Sequence, residues 1–244
     1  MDFAAFPDDY SAGFVVLVGR PNAGKSTLTN ALVGQKVAIT SNRPQTTRHT
    51  IRGIVHRDDF QLVLVDTPGL HRPRTLLGER LNDLVAETLS EVDVIGFCIP
   101  ADEKIGPGDR YIAQQLAASG NKPIVAIVTK ADKVSLEQLT EQLIEVSALG
   151  DEIMSAERAA RKQRRDRQER KKKGEQMPFR KGSGPAASRA SAKGEPASGV
   201  VNDGRGGWAD IIPVSAVNGD QVEEVAKLLS THLPDSPPLY PTGE

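Results

Sequence analysis

A glycine-rich loop between an apolar run and a helical pattern constrains the fold of this chain more than any other feature. The segment GRPNAGKS at Gly19–Ser26 fits the pattern G-x-x-x-x-G-K-[ST] and directly follows the strand-like run Phe14–Val18. Such a loop lets backbone N–H groups surround a phosphate at a helix N-terminus. Lys25 would then bridge the β- and γ-phosphates and Ser26 would ligate Mg²⁺. A glycine-rich turn that binds nothing is the alternative interpretation.

Short apolar runs alternate with amphipathic segments along most of the chain, which is typical of an α/β fold with a mostly parallel sheet. The runs predict strands at Phe14–Val18, Gln61–Val65, Val94–Pro100, Pro123–Thr129 and Ile211–Val214. A sixth run, Ile51–Arg57, alternates polar and apolar residues and predicts an antiparallel edge strand. Helices are predicted at Lys25–Val33, Leu76–Ser90, Pro107–Ser119, Leu136–Leu149 and Val222–His232. The prediction is a P-loop NTPase fold with a six-stranded sheet covered by helices on both faces.

The sequence DTPG at Asp66–Gly69 follows one of the predicted buried strands. A carboxylate at the carboxyl end of a parallel strand can hold Mg²⁺, and Gly69 can bring its N–H against a γ-phosphate without interference from a Cβ. In isolation DTPG is also an ordinary turn. Its position beside the glycine-rich loop favours the phosphate-binding interpretation.

The sequence TKAD at Thr129–Asp132 ends another predicted strand and favours recognition of guanine. A carboxylate at Asp132 can accept both N1–H and the exocyclic amino group of guanine, a donor pair that adenine lacks. The Lys130 stem would cover the face of the base. A simple helix cap is the alternative interpretation. Ser215-Ala216 fits a loop whose backbone N–H contacts the guanine carbonyl.

The polar loop Thr40–His49 lies between the first helix and the predicted edge strand. Its hydroxyl groups can reach a metal only when a γ-phosphate draws the loop inward, which is the behaviour of an order–disorder switch. Without the other motifs, a solvated connector would explain this loop as well.

The positive charge of the chain is concentrated between residues 151 and 210. That segment contains 15 Lys or Arg against 9 Asp or Glu, whereas the whole chain has 31 against 32. Ala156–Lys173 has ten basic residues and good helix formers, so it can extend the preceding helix, and Gly182–Gly207 is rich in Gly, Ser, Pro and Ala. We predict a disordered insertion over 150–208, because this segment has little apolar surface to bury.

The composition favours a reducing compartment. Cys98 is the single cysteine and cannot form an internal disulfide, and no apolar run reaches the roughly 18 residues of a membrane span. The acidic N-terminus does not have the pattern of a secretory signal. We therefore expect a cytoplasmic protein that can also contact the inner face of the cell membrane peripherally.

Three stretches of the sequence resemble the Era family of bacterial GTPases of the TRAFAC class. They are GRPNAGKSTLTNALVGQKVAIT, RPQTTRHTIRGI and VDTPGLHRPR, and the last suggests an actinobacterial version. The resemblance covers Phe14–Lys133 and Ile211–Leu233, and the related MnmE and Der fit the second and third stretches less well. It implies a G domain that slowly hydrolyses GTP to GDP and phosphate as a switch in small-subunit assembly and 16S rRNA maturation. The alternative function is an RNA- or membrane-surface-binding module that uses the basic insertion.

The resemblance, together with the motifs, assigns roles to individual residues. Catalytic roles go to Lys25, Asn22, Thr47 and Gly69, with Asn22 as a ligand for a stimulating K⁺ ion. Mg²⁺ would be held by Ser26, Thr47 and Asp66. The nucleotide would contact the following residues: Gly19, Arg20, Pro21, Asn22, Ala23, Gly24, Lys25, Ser26, Thr27, Asp66, Thr67, Pro68, Gly69, Leu70, Thr129, Lys130, Ala131, Asp132, Ser215 and Ala216. Leu70 stands where Ras-like switches have a water-orienting Gln, which predicts slow turnover.

The chain departs from the family pattern in three respects. Thr129 occupies the place where the guanine motif usually has Asn, so we expect a weaker tether to the glycine-rich loop. The insertion at 150–208 is unusual, and residues 234–244 resemble the start of a linker to the RNA-binding KH domain, for which no sequence follows. The expected organisation is a flexible N-terminus at 1–12, a G domain at 13–149 and 209–233, the insertion, and the linker. We expect a monomer whose partners are GTP or GDP and, by resemblance, the small ribosomal subunit and its 16S rRNA.

Overall fold

The computed structural model describes residues 7, 9–34, 51–65, 89, 91–120, 122–172 and 207–241. These residues form a six-stranded sheet with the strand order β2-β3-β1-β4-β5-β6. The strands are β1 (Ser11–Val18), β2 (Ile51–His56), β3 (Phe60–Val65), β4 (Val94–Pro100), β5 (Ile124–Thr129) and β6 (Asp210–Pro213). Only the β2–β3 pair is antiparallel among the described strand pairs. The predicted fold class, with one antiparallel edge strand, is confirmed.

Four described helices cover the sheet. They are α1 (Lys25–Val33), α2 (Pro107–Ala118), α3 (Leu136–Lys172) and α4 (Val222–Ser230), and a short 3₁₀ turn occupies Ala131–Lys133. The predicted helix Leu76–Ser90 lies outside the described residues except for Leu89, which is helical and buried. Because the strands next to β1 and β5 are parallel, their carboxyl ends lie on one edge of the sheet, which we call the carboxyl edge, and the opposite side is the amino edge.

The alternating side chains of β1 supply two separate cores, one on each face of the sheet. Val16 and Val18 belong to the core under α2 and α3, whereas Val15 and Leu17 belong to the core under α1 and α4. All four β1 side chains are buried. This double burial explains why the strands read as continuous apolar runs in the sequence.

The predicted helix Leu136–Leu149 continues to Lys172, an extension that the helix formers of Ala156–Lys173 allow. The disordered insertion predicted over 150–208 is therefore wrong for residues 150–172. The apolar residue Ile153 is buried in the core beyond the predicted end. Trp208 fills the space beside Gly150, where an added Cβ would lie 2.7 Å from the indole, and donates its Nε1–H to the Val146 carbonyl at 2.8 Å. Its ring also meets Phe97 edge-on at 5.5 Å. Both borders of the segment 150–208 therefore pack into the domain. Residues 173–206 lie outside the described part, so the disordered insertion stays a prediction there.

The folded domain begins earlier than predicted. Tyr10 is buried and β1 starts at Ser11, so residues 10–12 are not part of a flexible N-terminus. They pair with the C-terminal segment: the Ala12 N–H donates to the Pro234 carbonyl and the Ser236 N–H donates to the Tyr10 carbonyl. The predicted linker at 234–244 is thus hydrogen-bonded to β1 over its first residues.

Gln61 fixes the following part of this C-terminal segment at the amino edge. Its side chain is fully buried, and its Oε1 accepts hydrogen bonds from the backbone N–H groups of Leu239 and Tyr240 at 2.8 and 3.0 Å. Its Nε2 donates to the Tyr240 carbonyl at 2.8 Å and lies 2.8 Å from Nε2 of His56. The buried amide is therefore satisfied entirely by protein groups.

Among the described residues, no helix combines the length and the apolar character needed to cross a bilayer.

Candidate functional site

Loops from three distant parts of the chain enclose one cavity of about 420 Å³ at the carboxyl edge. Its walls come from the glycine-rich loop and the start of α1, from the turn after β5, and from the loop after β6. The lining residues are Asn22, Gly24, Lys25, Ser26, Thr27, Thr129, Lys130, Asp132, Lys133, Ala216 and Val217. The sequence prediction had placed nine of these eleven residues in one site, and Lys133 and Val217 are the two that it missed.

The glycine-rich loop adopts backbone conformations that explain its glycines. Gly24 has φ +83°, and a Cβ there would lie 3.3 Å from the Thr129 side chain. At Gly19, a Cβ would come within 2.5 Å of the Cys98 carbonyl oxygen, so only glycine lets the loop pass over β4. Asn22 also has a positive φ, of 64°, a region that few residue types other than glycine adopt readily. The tight turn predicted from the motif is present.

The Lys25 side chain is held by the backbone of this loop. Its ammonium group donates to the carbonyls of Gly19 and Arg20, each at 2.8 Å. Burial lowers the pKa of Lys25 below its ordinary value. Burial raises the pKa of Cys98 to about 12, so this thiol is neutral at ordinary pH. A phosphate entering the cavity would therefore meet a cation already oriented by two dipoles.

Thr129 tethers the turn after β5 to the glycine-rich loop. Its hydroxyl donates to the Ala23 carbonyl at 2.7 Å, and the residue is buried. The two partners are 106 residues apart in the sequence. A tether at this position therefore exists with Thr in place of Asn, as a single short hydrogen bond between the two motifs.

Asp132 is oriented by the loop that follows β6. The Ser215 hydroxyl donates to Oδ1 of Asp132 at 2.6 Å, and Ser215 itself is fully buried. The Ala131 N–H donates to the Val214 carbonyl at 3.2 Å, which joins the same two segments through the backbone. Asp132 is exposed within the cavity, so its carboxylate is positioned yet accessible to a ligand. Ser215 thus supports the site, whereas its neighbour Ala216 lines the cavity.

An acidic loop after β4 connects the cations of the site, and the sequence reasoning did not find it. Asp102 accepts from Lys130 at 3.1 Å and from Lys133 at 3.4 Å, and Glu103 also lies 3.4 Å from Lys130. Burial alone would raise the pKa of Asp102, but its hydrogen bonds to the two lysines keep that pKa below the ordinary value. The pair Asp102-Glu103 at the end of a parallel strand was the available sequence signal.

Arg20 points away from the cavity and toward the same acidic loop. Its guanidinium lies 2.9 Å from Glu103 and 3.3 Å from Asp109, which is fully buried in α2. Asp109 also accepts from the Gly106 N–H at 2.9 Å and caps the start of that helix. Arg20 was predicted to contact the nucleotide, but its side chain anchors the glycine-rich loop to α2.

The remaining predicted residues have other positions. Gly19, Pro21, Ala23, Ala131 and Ser215 surround the cavity without lining it, and Ala23 is fully buried. Six predicted residues lie outside the described part of the chain: Thr47, Asp66, Thr67, Pro68, Gly69 and Leu70. The switch loop at 40–49 lies outside it as well.

The residues at the phosphate end fit a magnesium ion in part. Ser26 stands at the start of α1 beside Lys25 and lines the cavity, which suits a hydroxyl ligand of a phosphate-bound Mg²⁺. Within the described ranges, no group of three His, Cys, Asp or Glu residues forms a metal site by itself. The other two predicted ligands, Thr47 and Asp66, belong to the part that is not described.

Comparisons with known proteins agree with this geometry. A family model described as "50S ribosome-binding GTPase" matches residues 14–130. GTPase Era of Streptomyces coelicolor is 53% identical over 235 residues, which are 96% of this chain and 58% of that protein. GTPase Era of Mycolicibacterium smegmatis is 51% identical over 97% of this chain and 61% of that protein. The chain thus spans about three fifths of the length of these relatives.

Solved structures of Era are also similar to this chain. An Era variant from Aquifex aeolicus bound to GDP and AlF₄⁻ has a TM-score of 0.60 and 28% identity, over 95% of this chain and 60% of that one. A structure of Era with MgGDPNP and nucleotides 1506–1542 of 16S ribosomal RNA has the same TM-score, identity and coverage.

Proposed function

This chain belongs to the Era family of GTPases, and we propose that it binds GTP, hydrolyses it slowly to GDP and phosphate, and uses the bound nucleotide as a conformational switch. The observation that carries this proposal is that Lys25 and Asp132, 107 positions apart, line one cavity. Lys25 suits the phosphate end of a nucleotide and Asp132 suits the base end.

Guanine is the base that the geometry favours. One Asp132 oxygen accepts from Ser215, which orients the carboxylate, and Asp132 still lines the cavity. A carboxylate in this position accepts two N–H donors from guanine, whereas adenine would present a single amino group and an unprotonated ring nitrogen. Lys130 lines the cavity with its ammonium held by Asp102, so its aliphatic stem is available to cover the base.

Catalysis would consist mainly of positioning and charge neutralisation. The Lys25 ammonium would stabilise charge that develops on the transferred phosphoryl group. Ser26, Asp66 and Thr47 would hold Mg²⁺, which would supply further positive charge at the phosphate end of the cavity. Leu70 cannot orient water by hydrogen bonding, so intrinsic turnover would be slow. Asn22 lines the cavity beside the phosphate end, which suits the predicted K⁺ ligand.

The cellular role follows from the relatives. We propose that the chain acts in the cytoplasm in assembly of the small ribosomal subunit and contacts 16S rRNA, because a similar Era structure contains part of that RNA. Contact of the basic segment with an anionic membrane surface is the competing proposal, and binding of vesicles and of RNA distinguishes the two.

Turnover of GTP by the purified chain, with and without small ribosomal subunits, tests this proposal. We expect slow phosphate release that depends on Mg²⁺ and increases when subunits are added. Lys25→Ala should remove both rates, and replacement of K⁺ by Na⁺ should lower them if Asn22 holds potassium. Phosphate release that is equal in the wild type and in Lys25→Ala would contradict the proposed activity.

The switch has its own test. Thr47→Ala should leave GDP affinity unchanged but should abolish the protease protection that a non-hydrolysable GTP analogue gives the loop at 40–49. An equal loss of GDP affinity would contradict the assignment of Thr47 as the γ-phosphate-dependent ligand.

A further inference from the structure

Helix α3 is anchored to the domain by Arg161 and continues beyond it. The Arg161 guanidinium donates to the carbonyls of Ala117 and Gly120 at 2.7 and 3.0 Å, at the end of α2. Carbonyl groups in the last turn of a helix have no partner within that helix, so a cation is favoured there. Glu157, one turn earlier, holds the same guanidinium at 3.0 Å. Arg161 therefore fixes the direction in which the rest of α3 leaves the amino edge.

The described side chains after this anchor do not pack against the domain core. Up to Arg161, α3 has a regular stripe of buried or partly buried residues, among them Val146, Leu149 and Ile153. All five side chains from Lys162 to Asp166 are exposed. The helix then continues to Lys172, so the extension Lys162–Lys172, which we call the basic rod, is about 16 Å long.

One face of the basic rod is rich in cations. It contains seven Lys or Arg against two Asp or Glu. Helical spacing places Arg164, Arg167 and Lys171 on one face, whereas Asp166 and Glu169 fall nearly opposite. Like charges at this spacing destabilise a solvated helix, and a polyanion laid along the face would remove that repulsion.

The chemistry of the basic rod favours nucleic acid over a lipid surface. No residue from Lys162 to Lys172 is apolar, so the rod has nothing to insert between lipid chains. Four of its seven cations are Arg, whose planar group matches a phosphate with two parallel hydrogen bonds. The choice of RNA over DNA rests on the proposed function.

We propose that the face formed by Arg164, Arg167 and Lys171 docks on the sugar–phosphate backbone of double-stranded RNA. The contact reads charge and shape and not sequence, because no residue of the rod supplies an apolar or aromatic surface for an unstacked base. It lies at the amino edge, away from the nucleotide cavity, so it does not need the nucleotide to form.

Binding of the full chain to a fluorescein-labelled RNA duplex of about 20 base pairs, measured by anisotropy between about 50 and 200 mM KCl, tests the proposal. The variant replaces Arg164, Arg167 and Lys171 by Gln, which preserves helix propensity. A matched control replaces three exposed cations elsewhere, Lys104, Arg110 and Lys227, by Gln. Circular dichroism confirms that the helix content is the same in all proteins.

The rod variant should bind the duplex about ten- to a hundredfold more weakly, and the slope of log affinity against log salt should fall by about two to three. The control should stay within about twofold of the wild type. Asp166→Asn with Glu169→Gln should act in the opposite direction and tighten binding, because it removes the negative charge of the rod.

An equal loss in both triple variants, or no loss in the rod variant, would overturn the proposal. So would binding of vesicles of phosphatidylserine and phosphatidylcholine that the rod variant loses while RNA binding is unchanged. GTP turnover of the rod variant should equal that of the wild type. A wild type without GTP turnover would refute the proposed function, and the RNA result would still decide the inference.

Discussion

The carboxyl and amino edges of the sheet both carry buried polar side chains, but they use them differently. At the amino edge, the Gln61 amide makes its hydrogen bonds to Leu239, Tyr240 and His56, and the protein satisfies it completely. At the carboxyl edge, Asp132 has one oxygen fixed by Ser215 and remains exposed in a cavity. A polar group whose hydrogen bonds are all made within the protein stabilises the fold, whereas a polar group that the protein only orients is available to a ligand.

The backbone shows the same contrast. All three described residues other than glycine with positive φ, Asn22, Lys130 and Gln221, lie in loops at the carboxyl edge or next to it. Such conformations cost free energy, and the surrounding hydrogen bonds must hold them in place. The carboxyl edge thus gives up some stability for the placement of its groups, so substitutions there and at the amino edge should separate loss of binding from loss of stability.

Lys25→Ala should have the largest effect, and only on binding. Removal of the ammonium group takes away charge-assisted contacts to two phosphates, so affinity for GDP and GTP should fall by at least about a hundredfold. The free energy of unfolding should change little, because the two carbonyls that accept from Lys25 can be hydrated in the cavity. Isothermal titration calorimetry and urea unfolding measure the two effects, and Lys227→Ala on α4 is the control. If Lys25→Ala keeps the nucleotide affinity of the wild type, the carboxyl edge is not the phosphate-binding site.

Gln61→Leu should show the reverse pattern. The substitution leaves the backbone groups of Leu239 and Tyr240 without their partner, so the free energy of unfolding should fall by about 1 to 3 kcal/mol. GDP affinity should stay within about twofold of the wild type. Gln163→Leu, at an exposed position of α3, should change neither quantity. A tenfold loss of GDP affinity with unchanged stability would show that the two edges are not separate.

Thr129→Val tests the tether that joins the two binding motifs. The substitution keeps the size of the side chain and leaves the Ala23 carbonyl unpaired, so the free energy of unfolding should fall by about 1 kcal/mol. GDP affinity should also fall severalfold, since the glycine-rich loop loses its link to the turn after β5. Thr129→Ser retains the hydroxyl and should restore most of both. If Ser and Val behave alike, the hydrogen bond contributes nothing.

His56 should give the smallest effect, a dependence of stability on pH. Burial lowers the pKa of His56 below its ordinary value of 6.5. The unfolded chain therefore binds a proton more readily than the folded one, and stability falls as the pH drops through 6.5 toward the folded pKa. Urea unfolding at a series of pH values between neutral and mildly acidic should show a shallower decline for His56→Gln. An identical decline in both proteins would contradict this origin.

The order of strands and helices was predictable because the double burial of the sheet leaves continuous apolar runs in the sequence. Lys25, Ser26 and Asp132 were predictable because their motifs tie residue type to spacing. The packing of Trp208 over Gly150 was not, because its hydrogen bond to Val146 joins residues 62 positions apart. The direction of Arg20 depends on Asp109 in α2, and no local pattern links the two.

Gln61 illustrates a further limit of sequence patterns. It is the polar first residue of a predicted apolar strand, and it is fully buried because the C-terminal segment covers it. Its partners are 178 and 179 residues away, so only the folded chain shows that Gln61 holds the C-terminal segment in place.

The central claim is that one cavity holds the phosphates near Lys25 and guanine near Asp132. Affinities of the wild type and of Asp132→Asn for GDP, ADP and XDP test it most directly. The wild type should prefer GDP strongly. The variant should lose about ten- to a hundredfold in GDP affinity and gain affinity for XDP, whose added carbonyl can accept from the Asn amide. A wild type that prefers ADP, or a variant with the same preference as the wild type, would contradict the claim.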